Sequence, residues 1–168
     1  MKIKKQFYSW PNLIADCLSS AKKLKSKKFS AQGSLSANRR RPVSGWDFAV
    51  AISRGGLIVT TLLAYLLKIK KVGTISYSHY IGDGVIGKLE LVLAPNEKIK
   101  NSRVLLVDDK ADTGATLIAA KKLLEKRNNK VTAVTLHYDP HSKIKPDLYS
   151  RKVKDIWIVY PWEPPFKK

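Results

Sequence analysis

Three aspartates in one short segment are the residues of this sequence best suited to chemistry. Val104–Thr116 reads VLLVDDKADTGAT, so a continuous apolar run delivers Asp108 and Asp109, and Asp112 follows closely. Thr113–Thr116 then place small side chains and free backbone N–H groups at the expected start of a helix, where amides and the helix dipole attract anions. Carboxylates beside a phosphate would repel it unless they serve hydroxyl groups or Mg²⁺. The pattern therefore suits a sugar phosphate.

A second loop with anion-binding character follows another apolar run. Ser53-Arg54-Gly55-Gly56 comes directly after Phe48–Ile52. The two glycines permit a tight backbone and Arg54 adds a planar cation, so the loop suits a pyrophosphate. Taken alone, a plain turn between a strand and a helix explains the same residues equally well.

The glycine-rich stretch Gly82–Gly87 satisfies G-x-G-x-x-G and, with Lys88, most of a Walker A motif. Both motifs need a helix afterwards, so that the N-terminus of the helix faces a phosphate. Here residues 88–94 instead alternate between polar and apolar types before Pro95, as a strand does, and Leu89 replaces the hydroxyl residue of Walker A. We interpret the glycines as part of a hairpin or a flap.

The elements that position these loops alternate between strands and helices. Ser9 and Pro11 indicate the start of a helix whose apolar stripe runs to Leu24. We predict strands at 48–52, 72–77, 89–93, 104–107, 131–136 and 156–160, and further helices over about 57–68 and from 113 to about 128. The basic stretch 26–45 is expected to be a surface loop. The alternation predicts an α/β fold with a doubly wound, mostly parallel sheet, in one domain over residues 1–168.

Charge and composition indicate where in the cell the protein is expected to act, but they do not identify a partner. The sequence has 32 Lys+Arg against 13 Asp+Glu, a formal net charge of +19, which favours capture of polyanions but is equally typical of lysine-rich solvated faces. We do not expect RNA or an anionic membrane surface as a partner, although the charge admits both. One cysteine excludes an internal disulfide framework, and neither a secretory signal nor a long enough apolar run is evident, so we expect a cytoplasmic protein.

These motifs resemble those of the type I phosphoribosyltransferases, most closely the xanthine-guanine and hypoxanthine-guanine enzymes. VLLVDDKADTGAT is similar to the phosphoribosyl-pyrophosphate (PRPP) motif of that family, ISRGG to its pyrophosphate loop, and the likeness continues to the late DIWIVYPWE. The resemblance implies the family fold, with a small hood from the N- and C-terminal segments, and a homo-oligomer, either a dimer or a tetramer. It also implies purine salvage, in which the phosphoribosyl group of PRPP passes to a free purine, with a 6-oxopurine favoured.

The same resemblance implies a role for each site residue. Asp108 and Asp109 match the acidic pair that serves the ribose hydroxyls and the cofactor Mg²⁺, and Asp112 matches the general base near purine N7. The 5′-phosphate loop corresponds to Ala111, Asp112, Thr113, Gly114, Ala115 and Thr116. The pyrophosphate loop, whose peptide before the arginine is often cis, corresponds to Ser53, Arg54, Gly55 and Gly56. Trp157 and Ile158 match the segment that covers the base and reads it through main-chain contacts. His79-Tyr80 match the family's mobile loop, so that residues 82–87 could form a lid.

The sequence departs from the family pattern at the residue that contacts the base in that family. Asp139 precedes Pro140 where the family has a lysine. A carboxylate only accepts hydrogen bonds, so base binding by Asp139 favours an exocyclic amine and admits adenine or another amino-bearing base. Asp139-Pro140 also fits a plain turn, and Lys143 or Lys145 could then reach the base instead. A regulatory homologue that senses PRPP and binds RNA is the alternative from another class, but Asp112 favours an enzyme because a sensor needs no general base.

Overall fold

One six-stranded sheet organises the part of the chain that the computed structural model describes, residues 4–26, 45–82 and 85–163. In chain order the elements are β1 (Lys4–Phe7), α1 (Trp10–Leu24), β2 (Phe48–Ser53), α2 (Gly56–Leu67), β3 (Val72–Gly82), β4 (Val85–Leu93), β5 (Arg103–Ala111), α3 (Ala115–Glu125), β6 (Lys130–Tyr138), β7 (Leu148–Lys152) and β8 (Ile156–Val159). None of the helices in these residues is long and apolar enough to span a bilayer.

The order of strands in the main sheet is β4-β3-β2-β5-β6-β7. All neighbours are parallel except β3 and β4, which run antiparallel. The predicted α/β fold with a mostly parallel sheet is therefore confirmed. β2 and β5 lie side by side, with Phe48 opposite Val104 and Ala51 opposite Val107. Because parallel strands end at the same edge of a sheet, the loops that follow β2 and β5 must meet there.

Helices cover both faces of this sheet, which explains why its central strands are continuously apolar. Successive side chains of a strand point to opposite faces. In β5, Leu105 and Val107 pack in one core with residues of α1 and α2, whereas Val104 and Leu106 pack in a second core with residues of α3. The rigid double layer fixes the position of the carboxyl end of β5, which carries the aspartates.

A second, two-stranded sheet builds the hood. β1 pairs in parallel with β8, with Lys4 opposite Ile156 and Phe7 opposite Val159. The strand predicted at residues 156–160 therefore exists, but it lies outside the main sheet. β1 and β7 were not predicted, because KKQF and LYSRK lack the apolar run that indicates a buried strand. The predicted start of α1 is confirmed, since the Ser9 side chain accepts a hydrogen bond from Asn12 N at 3.3 Å.

The glycine-rich stretch joins β3 to β4, with Gly82 opposite Val85 in an antiparallel pair. A strand and not a helix follows the glycines, so the hairpin interpretation is confirmed. Residues 83–84 and the side chains of residues 79–88 lie outside the described part of the structure, as do residues 27–44 of the basic stretch. The lid assigned to residues 82–87 and His79-Tyr80 and the surface loop at 26–45 therefore stay predictions.

Candidate active site

The loop that follows β2 touches the carboxyl end of β5, directly before the loop that follows β5. A Cβ atom on Gly55 would lie 1.9 Å from Asp109 Oδ2, and one on Gly56 would lie 2.5 Å from the carbonyl oxygen of Val107. At Gly56 the close neighbour is backbone, so only glycine fits there, whereas a Cβ at Gly55 would displace the carboxylate of Asp109. The Ser53–Arg54 peptide is cis, as the resemblance implied. The structure thus brings the candidate pyrophosphate loop against the candidate ribose-binding acids.

Asp108 and Asp109 are adjacent carboxyls in a largely desolvated position. Asp109 N donates to Asp108 Oδ1 at 2.9 Å, and Lys110 N donates to Asp109 Oδ1 at 2.7 Å. Burial raises the pKa of both carboxyls, and the neighbouring charge of Asp109 raises the pKa of Asp108 further. A hard divalent cation would relieve this repulsion, and carboxylate oxygens are ligands that Mg²⁺ prefers. The pair therefore fits the magnesium site that the family implies.

The candidate 5′-phosphate loop lies at the N-terminus of α3. Gly114 caps this helix with φ of 80°, a left-handed conformation that favours glycine, and a Cβ there would lie 2.4 Å from Ser142 Oγ. Thr113 is exposed, and its hydroxyl accepts a hydrogen bond from Ala115 N at 3.3 Å. Ala111 still belongs to β5 and its side chain packs in the core, so it offers this loop only its main chain.

Asp112, the candidate general base, is exposed and forms an ion pair. Its side chain is 65% exposed, and Asp112 Oδ1 lies 2.9 Å from Lys110 Nζ. The same ammonium group donates to the carbonyl oxygen of Ile156 at 3.2 Å. The sequence did not single out Lys110, although it lies inside the motif that carries the aspartates.

A cleft of about 530 Å³ opens beside Asp112 on the side of the hood. Its lining consists of Lys110, Asp112, Thr113, Asp139, His141, Lys143, Asp155, Ile156 and Trp157. Trp157 is half-exposed, whereas the Ile158 side chain is buried, which leaves its main chain for the role that the resemblance implies. Lys145 is directed elsewhere, with its ammonium 5.8 Å from the centre of the Tyr149 ring.

Asp139 borders this cleft, but both of its carboxylate oxygens accept hydrogen bonds from the main chain. Oδ1 accepts from His141 N at 2.9 Å, and Oδ2 accepts from Asp155 N at 3.1 Å. Burial acts to raise the pKa of Asp139, but these amide hydrogen bonds outweigh it and the net pKa is lowered. His141 Nδ1 also lies 3.3 Å from a carboxylate oxygen of Asp139 and from one of Asp155. The alternative interpretation of Asp139-Pro140 as a turn agrees with these contacts, and base binding by Asp139 stays a prediction.

Tyr160 links the hood to the acidic pair. Its hydroxyl donates to the carbonyl oxygen of Asp109 at 3.0 Å and lies 2.9 Å from His137 Nδ1. Burial lowers the pKa of His137 to about 4, so its ring is neutral at physiological pH. The Tyr8 ring packs edge-on against His137 at 4.8 Å between centroids. Sequence reasoning missed this connection because its members are distant in the chain.

Two loops of the kind that binds anions flank an acidic pair at the edge of a doubly wound sheet, where such folds bind their ligands, and this arrangement is typical of enzymes that handle a phosphorylated sugar. The chain belongs to the phosphoribosyl transferase domain family, whose model matches residues 19–168. The resemblance drawn from the motifs is therefore confirmed, and the enzyme is a phosphoribosyltransferase.

Solved structures give the same fold. A purine phosphoribosyltransferase from Pyrococcus horikoshii is 26% identical, with a TM-score of 0.79 over 98% of this chain and 99% of that chain. A hypothetical protein from Neisseria gonorrhoeae with bound ppGpp is 23% identical, with a TM-score of 0.74 over 98% and 92% of the two chains. A xanthine-guanine-hypoxanthine phosphoribosyltransferase from Helicobacter pylori is 22% identical, with a TM-score of 0.71 over 97% and 95%. The latter two, at this level of identity, show the fold alone.

Proposed function

We propose that this enzyme transfers the 5-phosphoribosyl group of PRPP to a free purine base, with a 6-oxopurine favoured, in purine salvage. The products are a nucleoside monophosphate and pyrophosphate. The observation that carries the proposal is the contact between Gly55 and Asp109, because it brings the candidate pyrophosphate loop against the acidic pair, and the candidate 5′-phosphate loop follows that pair in the chain. The similarity to the purine phosphoribosyltransferase from Pyrococcus horikoshii supports a purine as the acceptor.

Each part of PRPP has a complementary partner in this arrangement. The pyrophosphate binds the backbone of Ser53–Gly56 and the guanidinium of Arg54. The 5′-phosphate binds the amides of Thr113–Thr116 at the positive end of α3. The ribose hydroxyls bind the carboxylates of Asp108 and Asp109, which would also hold Mg²⁺. A magnesium ion held by Asp108 and Asp109 would neutralise part of the pyrophosphate charge.

The reaction exchanges one bond at C1 of the ribose for another. The bond to the pyrophosphate oxygen breaks, the bond to a purine ring nitrogen forms, and Asp112 accepts the proton that the purine loses. Arg54 and the loop amides stabilise the negative charge that develops on the pyrophosphate, which is a preorganised electrostatic contribution. Trp157 covers the base and helps to exclude water, which would otherwise hydrolyse the activated sugar.

Two alternatives are kept for the test. The residue type of Asp139, at the position of the family lysine, suits an amino-bearing base such as adenine, but both of its oxygens accept from main-chain amides. The net charge of +19 suits a regulatory homologue that senses PRPP and binds RNA, but it is equally typical of solvated lysine-rich faces. We also propose a homo-oligomer, a dimer or a tetramer, by analogy with the family.

The decisive experiment measures pyrophosphate release from Mg-PRPP with hypoxanthine, guanine, xanthine and adenine in parallel. We expect turnover with 6-oxopurines and slower turnover with adenine. Turnover with adenine alone would support the amino-bearing alternative. If no base gives turnover, while RNA binds tightly with a steep salt dependence, the regulatory alternative replaces the enzyme.

A further inference from the structure

Lys110 holds its ammonium group between the general base and the hood. Nζ lies 2.9 Å from Asp112 Oδ1 and 3.2 Å from the carbonyl oxygen of Ile156, and the side chain is only 16% exposed. Ile156 is the first residue of β8 and directly precedes Trp157, whose ring borders the cleft. The ammonium group is therefore fixed at the place where the proposed purine would meet both Asp112 and the hood.

Lys110 and Asp112 together present a hydrogen-bond donor beside an acceptor. A protonated lysine only donates and an ionised aspartate only accepts. On the edge that carries N7, a 6-oxopurine such as guanine has the acceptor O6 beside that nitrogen, whereas adenine has an amino group in place of O6. A free purine that gives its N7 proton to Asp112 therefore turns either O6 or an amino group toward Lys110. The first is an acceptor for the ammonium group, and the second is another donor.

The other lysines near the cleft lack this placement. Lys143 lines the cleft, and its backbone N–H donates to the carbonyl oxygen of Thr113 at 3.0 Å, but within the described residues its ammonium makes no ion pair with Asp112. Lys145 lies over the Tyr149 ring instead. Asp139 directs both carboxylate oxygens at main-chain amides of His141 and Asp155, so it is poorly placed to accept from a base.

We propose that Lys110 is the specificity-determining residue that selects a 6-oxo over a 6-amino purine, in place of the lysine that this chain lacks at position 139. The inference rests on the proposed transfer to a purine and assigns the choice of purine to one side chain. Asp139 then acts as a positioning residue that shapes the turn beside the cleft.

The test compares kcat/KM for hypoxanthine and adenine at saturating Mg-PRPP in the wild type and in Lys110→Met. We expect the value for hypoxanthine to fall roughly 10- to 100-fold, the range for losing one charged hydrogen bond to a base edge. The value for adenine should fall less, because the lost contacts of Lys110 with Asp112 and Ile156 affect both bases equally and only the oxo base also loses a hydrogen bond to Lys110, so the ratio of the two values should fall. A merely structural role of Lys110 would lower both values together and leave their ratio unchanged.

Matched variants separate the possible outcomes. Lys145→Met should leave both values unchanged, and Lys143→Met should leave their ratio unchanged. Lys110→Gln, an uncharged variant that still has a donor, should give an intermediate ratio and serves as the second test if Lys110→Met does not fold.

The proposal is overturned if the wild type prefers adenine, if the ratio is unchanged in the Lys110 variants, or if it is lost in Lys143→Met. Absence of turnover by the wild type with every base overturns the proposed function itself, whereas turnover with an unaltered ratio in Lys110→Met overturns only the assignment of Lys110.

Discussion

The acidic pair Asp108–Asp109 and the single carboxyl of Asp139 border the same site, but their surroundings move their pKa values in opposite directions. Asp139 receives backbone N–H groups on both oxygens, and these lower its pKa against the effect of burial. At Asp108 and Asp109 burial prevails, the two charges repel each other, and the pKa of each is raised. A carboxyl that the local main chain satisfies contributes to the fold, whereas a half-buried pair left in mutual repulsion is prepared for a ligand.

Substitution of Asp112 should have the largest effect on activity. This third carboxyl belongs neither to the acidic pair nor to the carboxyls that the main chain satisfies. Asp112→Asn should lower kcat by about 10²- to 10⁴-fold, since the amide cannot take the proton of the purine. Binding of Mg-PRPP, measured by calorimetry, should persist because the phosphate loop keeps its amides. Undiminished turnover would remove the role of general base from Asp112.

The contact between the candidate pyrophosphate loop and the acidic pair can be broken with one methyl group. Gly55→Ala would push its Cβ into Asp109 Oδ2, which lies 1.9 Å from that position. We expect a loss of stability of about 1–3 kcal/mol, as for other overpacked sites, and at least a roughly 10-fold loss of affinity for Mg-PRPP. Gly73→Ala is the control, because its Cβ would meet only the flexible end of Ile99 at 3.0 Å. Equal affinities in the two variants would show that the candidate pyrophosphate loop and the acidic pair do not form one site.

Asp139→Asn tests whether this carboxyl serves the fold. One of its two N–H partners would face an amide nitrogen that cannot accept, so the free energy of unfolding should fall by about 1–3 kcal/mol. Denaturant titration measures the change, and Asp155→Asn, at a side chain that is 70% exposed, should alter stability much less. A stable Asp139→Asn variant would contradict the positioning role.

Asp108→Asn should raise the free energy of unfolding, whereas Asp139→Asn lowers it, and the change should be the smallest of those predicted here. Because the folded-state pKa of Asp108 is raised, its ionised form destabilises the fold at neutral pH, and the penalty disappears as pH falls below the unfolded-state value. The variant should therefore gain about 0.5–2 kcal/mol at neutral pH without Mg²⁺, and the gain should shrink toward acid pH. Thermal melts between neutral and acid pH measure it. A loss of stability at neutral pH would mean that Asp108 is satisfied within the fold, as Asp139 is.

The sequence was sufficient for five of the six strands of the main sheet, all but β7, and for the two loops, because apolar runs ending in polar tips indicate buried strands. It was insufficient where an element is polar or where partners are distant in the chain. β7 has no continuous apolar run, and β8 looks like any buried strand, although it pairs with β1 in the hood. Lys110 resembled one more basic residue among many, since its contact with Ile156 spans 46 positions. For Asp139, residue type suggested a base contact, whereas the surrounding amides became visible only in three dimensions.

The hydrogen bond from Tyr160 to the carbonyl oxygen of Asp109 has a consequence for how substrates enter and leave. It anchors the hood to the backbone of the strand that carries the acids, with the neutral ring of His137 behind it. Any movement of the hood away from the site therefore has to break this hydrogen bond to the strand that carries Asp109. We expect PRPP to enter and pyrophosphate to leave on the opposite side of the site, where β3 and β4 extend beyond β2.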